Sequence, residues 1–226
     1  MSKGMIIDLD RCIGCDACTI ACKQGNGTPK GTFWTHVERQ ETGIYPDAYL
    51  EVVPVLCNHC KNAACVEVCP YNASVYMRDD GTITGNAGKN YENGCTVQVL
   101  SASCQGCNYC IAACPYQART FDFGKWESFY PEQERTDYEK LQESRRPYRY
   151  TVSKCTLCDD RRARGDLPAC AHTCPADART FGDVDSAAMQ KTIQDRRGYQ
   201  LKPEQGTNPC VYYLPRKLRS EREYGK

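Results

Sequence analysis

No run of about 18 apolar residues occurs in this 226-residue sequence, so nothing in it reads as a membrane-spanning helix. Charge of one sign is also missing. Lys and Arg number 29 against 28 Asp and Glu, a formal net charge of +1, which excludes the broad basic field that would draw in nucleic acid. There is no Gly-rich nucleotide loop and no hydrolytic constellation, which argues against an enzyme with its own substrate site. The first residues, MSKGMIIDLDRC, lack the apolar stretch and small-residue cleavage site of a secretory leader. Assembly in the cytoplasm is therefore expected, followed by residence there or by export in folded form beside a signal-bearing partner. Large aliphatic side chains are sparse for the length, so a core built from side chains alone would be hard to complete.

What the chain has in excess is cysteine, 18 residues of it. Sixteen fall into four groups: Cys12, Cys15, Cys18, Cys22; Cys57, Cys60, Cys65, Cys69; Cys104, Cys107, Cys110, Cys114; and Cys155, Cys158, Cys170, Cys174. The first and third follow the spacing C-x2-C-x2-C-x3-C of bacterial two-cluster ferredoxins, and the other two carry an insertion before the third cysteine. Three closely spaced thiols in a loop can wrap three corners of a cubane. The fourth, a helical turn further on, points away toward the other cluster of a pair. Proline follows the fourth cysteine in three groups (Pro70, Pro115, Pro175) and ends the short helix, whereas the first group has Lys23 there. Zinc sites prefer two separated Cys-x2-Cys pairs, and a disulfide framework prefers an exported chain, so four [4Fe–4S] clusters fit the pattern best. Cys95 and Cys210 lie outside the groups and read as buried thiols. His36, His59 and His172 read as packing or supporting residues, since the cysteine sets need no substitute. The basic run Arg161–Arg164 reads equally well as a solvated face or as a charge beside a cluster.

The repeats extend past the cysteines: CPYNASVY, CPYQARTF and CPADARTF align, each a Cys-Pro exit into a strand. The exit strands are expected at Ala118–Phe123 and Ala178–Phe181, and MIIDLD supplies a strand before the first group. The fold class is therefore α+β: tandem two-cluster ferredoxin-like modules with β-hairpin and loop insertions. Residues 1–23 plus 150–186 form the module of motifs one and four, and 52–123 that of motifs two and three. Residues 24–51 form a hairpin insertion, 78–103 contribute a polar insertion, and 124–149 form a charged, aromatic insertion without a clean period. The segment 187–226 is expected to be a partner-facing extension, a short helix and then extended chain. Trp126, Tyr130, Tyr138, Tyr148, Tyr150, Tyr199, Tyr212 and Tyr213 are its candidate interface anchors together with the 124–150 insertion.

The segments CIGCDACTIAC, PVLCNHCKNAACVEVCP, CQGCNYCIAACPY and KCTLCDDRRARGDLPACAHTCP resemble the four-cluster iron–sulfur subunits of molybdopterin oxidoreductases, the dimethyl-sulfoxide-reductase family. The likeness runs from Met5 to about Asp183. It implies pairing of motif one with four and of two with three. The implied ligand sets are Cys12, Cys15, Cys18 with Cys174; Cys155, Cys158, Cys170 with Cys22; Cys57, Cys60, Cys65 with Cys114; and Cys104, Cys107, Cys110 with Cys69. It also implies a catalytic partner carrying molybdenum or tungsten on a pterin, and as further partners a membrane anchor or a soluble electron donor. WTHVERQETGIYP and LKPEQGTNPCVYY are similar to the small subunit of the pyrogallol–phloroglucinol transhydroxylase type. That likeness points to an aromatic hydroxyl substrate on the partner, with arsenate or sulfur compounds as the other option. The expected role is relay: electrons enter one end of a chain of clusters and leave the other, and no side chain acts as acid, base or nucleophile. The alternative is a free polyferredoxin that shuttles electrons between enzymes.

Overall fold

The structure is a computed structural model that describes residues 2–46, 48–88, 91–124, 128, 130, 132–144 and 149–217. Trp126 and Tyr148 lie outside the described residues. Strand β1 (Lys3–Asp8) leads into motif one and helix α1 (Ala17–Asn26). A hairpin follows, β2 (Thr35–Thr42) and β3 (Tyr49–Leu56), paired from Thr35↔Leu56 to Thr42↔Tyr49. Its second strand runs past residue 51 and delivers the chain directly into Cys57. Motif two carries α2 (Ala64–Glu67) and exits through β4 (Ser74–Met77).

The region 78–103, expected to be a polar insertion, contains β5 (Ile83–Gly85) and β6 (Thr96–Val99), which flank β4 in a three-stranded antiparallel sheet. TVQV is too short to declare its period. Tertiary burial of Thr96, Val97 and Gln98 makes it a strand. Motif three carries α3 (Tyr109–Ala112) and exits through β7 (Arg119–Phe121). The insertion at 124–149 is not loop throughout, because α4 (Asp137–Ser144) forms inside it. Thr136 and Glu139 make a reciprocal cap there: the Thr136 amide donates to Glu139 Oε2 at 2.6 Å, and the Glu139 amide donates to Thr136 Oγ1 at 3.3 Å. Strand β8 (Val152–Lys154) opens motif four, with α5 (Asp159–Arg162), α6 (Ala169–His172) and the exit strand β9 (Arg179–Asp183). Helix α7 (Ala187–Asp195), N-capped by Ser186, and β10 (Val211–Leu214) follow.

Within the segment 187–226, expected to be a partner-facing extension, β10 is part of the core. Strand β10 pairs in parallel with β1, which pairs antiparallel with β9 on its other edge, in the order β10-β1-β9. Val211 and Tyr213 are wholly buried, and the Tyr213 hydroxyl donates to the Pro54 carbonyl at 3.1 Å, so Tyr213 is no interface anchor. Tyr212 is half-buried. The sequence of this strand is apolar on both faces because both faces are covered, and that pattern reads as adhesive surface when the neighbouring layers are unknown. Gly4 permits the docking: a Cβ there would lie 1.9 Å from the Cys210 carbonyl oxygen, and that carbonyl accepts the Met5 amide at 3.0 Å. One more pairing was not legible in the sequence. Strand β7, the exit of motif three, pairs with β8, the entry of motif four, and so ties these two motifs together.

Candidate metal centre

All four cysteine loops bend by the same device. The residue before the second cysteine has positive φ in each: Gly14 (70°), His59 (43°), Gly106 (68°) and Leu157 (54°). The third residue after the fourth cysteine does the same where Cys-Pro is present: Asn72, Gln117 and Asp177. Such turns aim successive amides inward. The amides of Ala73 and Ser74 point at Cys69 Sγ at 3.2 and 3.4 Å, that of Val152 at Cys104 Sγ at 3.4 Å, that of Leu157 at Cys155 Sγ at 3.4 Å and that of Ala178 at Cys174 Sγ at 3.3 Å. At Gly106 a side chain is excluded outright, since a Cβ would meet the Tyr150 carbonyl oxygen at 2.4 Å. Motif one shows what the missing proline does: with Lys23 after Cys22, α1 continues for ten residues, while α2, α3 and α6 stop at four.

The thiols converge in four sets, each drawn from two motifs. Cys12, Cys15, Cys18 and Cys174 line one cavity of about 350 Å³, open solvent included. Cys57, Cys60, Cys65 and Cys114 line a second of about 350 Å³, and Cys104, Cys107, Cys110 and Cys69 a third of about 310 Å³. Cys22 sits among Cys155, Cys158 and Cys170, and the Asn26 amide reaches both Cys22 Sγ (3.5 Å) and Cys158 Sγ (3.9 Å). All eighteen cysteines carry free thiols, and among the described residues no three His, Cys, Asp or Glu side chains converge on a single ion. Burial pushes the thiols of Cys22, Cys60, Cys65, Cys155 and Cys170 up, and neighbouring thiolates add to the effect. Ionised sulfurs packed this way are poorly solvated and repel one another. A centre carrying positive charge, bound by several thiolates at once, suits the donor set and the space.

Charge is supplied on the other side by residues that the sequence reading passed over. Arg119 and Arg179 are each 5% exposed. Arg119 donates to Cys65 Sγ at 2.9 Å and to Ser74 Oγ at 2.8 Å, and Arg179 donates to Thr35 Oγ1 at 3.1 Å. The signal for both was present in the aligned CPYQARTF and CPADARTF, where the arginine recurs at the same offset. Lys154 on β8 is buried at the seam between the modules and donates to the carbonyls of Val97 and Cys155. His59 is fully buried beside it; burial, then the charges of Lys154 and Arg162, hold its pKa well below the usual value, so it is a neutral packing residue. His36 lies half-exposed on β2 beside Glu38, and His172 ends α6.

The basic run divides. Arg162 is buried and ion-paired with Asp79, which also pairs with Lys3, while Arg164 stays on the surface with Asp160 and Asp166. Cys95 and Cys210 are both wholly buried, Cys95 within 3.0 Å of Thr84 Oγ1. Burial pushes the Cys210 thiol up to about 12.

Comparison with known proteins gives matches along most of the chain. Residues 48–184 and residues 11–73 each match a family described as a 4Fe-4S dicluster domain. A protein of Halobacterium salinarum described as a dimethyl sulfoxide reductase iron–sulfur subunit is 40% identical over 93% of this chain and 78% of its own length. The arsenate respiratory reductase iron–sulfur subunit ArrB of Shewanella sp. strain ANA-3 is 35% identical over 95% of this chain and 96% of its own. The thiosulfate reductase electron transfer subunit PhsB of Salmonella typhi is 35% identical over 92% and 90%.

Proposed function

This chain belongs to the iron–sulfur subunits of the dimethyl-sulfoxide-reductase family, built on tandem 4Fe–4S dicluster domains, and from that premise we propose that it binds four [4Fe–4S] clusters and relays electrons to or from a molybdopterin subunit carrying Mo or W. The observation that carries this is the composition of the four thiol sets, three cysteines from one motif and the fourth from its partner motif. The proposed ligands are Cys12, Cys15, Cys18 and Cys174; Cys155, Cys158, Cys170 and Cys22; Cys57, Cys60, Cys65 and Cys114; and Cys104, Cys107, Cys110 and Cys69. When bound, such clusters supply one-electron redox chemistry. The chain's own residues hold the four sites apart at fixed spacing, exclude water from Cys155 and Cys170, and place amide dipoles on the sulfurs. Cys57 and Cys155 belong to one buried cluster of side chains at the seam, which supports passage between the two modules.

Among the described residues no helix is long and apolar enough to cross a membrane. The named relatives favour an oxyanion or sulfur compound over an aromatic hydroxyl compound as the partner's substrate. Tyr130, Tyr138 and Tyr150, all well exposed, support a partner face built from the 124–150 insertion.

Iron and acid-labile sulfide analysis of anaerobically purified protein tests the proposal. Sixteen of each per chain are expected, in complex with a larger subunit containing molybdenum or tungsten. Zinc in place of iron would refute cluster binding, and a monomer free of both partner metals would leave the shuttle alternative. Ligation across motifs predicts that Cys22→Ala abolishes the paramagnetic resonance signal of the cluster on Cys155, Cys158 and Cys170. Loss confined to the cluster on Cys12, Cys15 and Cys18 would mean that each motif closes on itself.

A further inference from the structure

Each dicluster module holds one buried guanidinium at the fifth position after a fourth cysteine: Arg119 after Cys114 and Arg179 after Cys174. Neither is ion-paired with a carboxylate among the described residues. A full charge in such a place is costly unless negative charge lies against it. The negative charge at hand is thiolate, and it comes from both sites of the module. Arg119 lines the cavity of Cys57, Cys60, Cys65 and Cys114, donates to Cys65, and lies close to Cys110 of the neighbouring set. Its other anchor, Ser74, lines that neighbouring cavity and stands at the equivalent place in the repeat, the fifth residue after Cys69. Arg179 repeats the arrangement: it lines the cavity of Cys12, Cys15, Cys18 and Cys174 and lies close to Cys170 of the other set. A guanidinium keeps its proton throughout the accessible pH range, so both charges are fixed.

Resting on the cluster-binding reading above, we propose that Arg119 and Arg179 are the positioning charges of the relay, one shared by each pair of clusters, raising both potentials of that pair and screening each centre from the charge of the other. One electron arriving from a neighbouring centre, itself oxidised by one, adds unit negative charge beside the guanidinium, and no proton moves. A fixed cation there stabilises the reduced state. The shared place matters because two centres in one module would otherwise repel each other's second electron.

The test is a potentiometric titration, followed by paramagnetic resonance, of the cluster-loaded full chain carrying Arg119→Gln, Arg119→Lys, Arg179→Gln or Arg179→Lys. Each glutamine variant is expected to lower the reduction equilibrium of two clusters about tenfold, about 59 mV for a one-electron couple, and to leave the other two in place. The pair moved by Arg119→Gln should be the pair left unmoved by Arg179→Gln. Each lysine variant keeps the charge and should stay near the parent. Four unmoved potentials, four that move together, or a lysine variant that shifts as far as its glutamine counterpart would each overturn the inference. A parent chain without iron or sulfide would fail the cluster-binding reading instead, which separates the two outcomes.

Discussion

Stripping iron and sulfide from this chain will unfold both cysteine modules. The largest group of buried side chains shows why. Besides Met5, Ile7, Leu56, Leu157, Val211 and Tyr213, it contains Cys18, Cys57, Cys155 and Cys170, so the core is assembled around sulfur that needs something to bind. Without it, three thiol-lined sites are left unfilled, and Arg119 and Arg179 lose the charge that balances them. The loops around the sites have little else to hold them, since α2, α3, α5 and α6 span four residues each, far below the length of a self-sustaining helix. Metal binding and folding are then one equilibrium. Hydrogen exchange and limited proteolysis of the chelator-treated protein should show protection lost across 12–22, 57–77, 104–121 and 155–183. An apo-protein that melts cooperatively at the midpoint of the loaded form, with the same protected amides, would sink this account.

Truncation at Gly198 will destroy the fold and with it the cluster content, although the removed segment contains none of the proposed ligands. Strand β10 fills one edge of β1, and Val211, Tyr213 and Leu214 are 0%, 0% and 3% exposed. Full burial of an apolar side chain is worth about 1.5–3 kcal/mol, so the three together contribute about 4.5–9 kcal/mol, comparable with the whole net stability of a domain of this kind, about 5–15 kcal/mol. The cut also removes the acceptor at Cys210 and the cover over Ile6, Met189 and Ile193. Iron per chain in the purified truncated protein is the measurement, and a truncated chain that keeps its full iron and its protease resistance would show that β10 is an accessory. A milder companion, Tyr213→Ala, should destabilise by about 3–5 kcal/mol, by analogy with large aromatic-to-alanine changes in cores.

The cysteine loops were more legible than the strand pairing because the two depend on different ranges along the chain. A cysteine loop is a local object. Its spacing determines which sulfurs can share a cubane, and the proline or its absence determines how far the helix runs, four residues around Val66 and Cys110 or ten through Cys22. The hairpin at 35–56 was visible for the same reason, two β-rich runs around a turn. Arg119 and Arg179 sat inside a recognised repeat and went unremarked, because a single arginine in a strand usually points at solvent; their burial is set by what packs over them.

By itself the sequence determined the number of thiol groups, their local curl, the strand that leaves each Cys-Pro, and membership of an iron–sulfur family. Each of these is a matter of a few adjacent residues and their conformational limits. Only the tertiary structure decided that β10 returns to lie parallel to β1, that β7 and β8 tie motifs three and four together, and that β5 and β6 turn a polar stretch into a sheet. Those pairings are made by backbone groups as far apart in the chain as Met5 and Val211, and a backbone hydrogen bond leaves little trace in the side chains on either side of it.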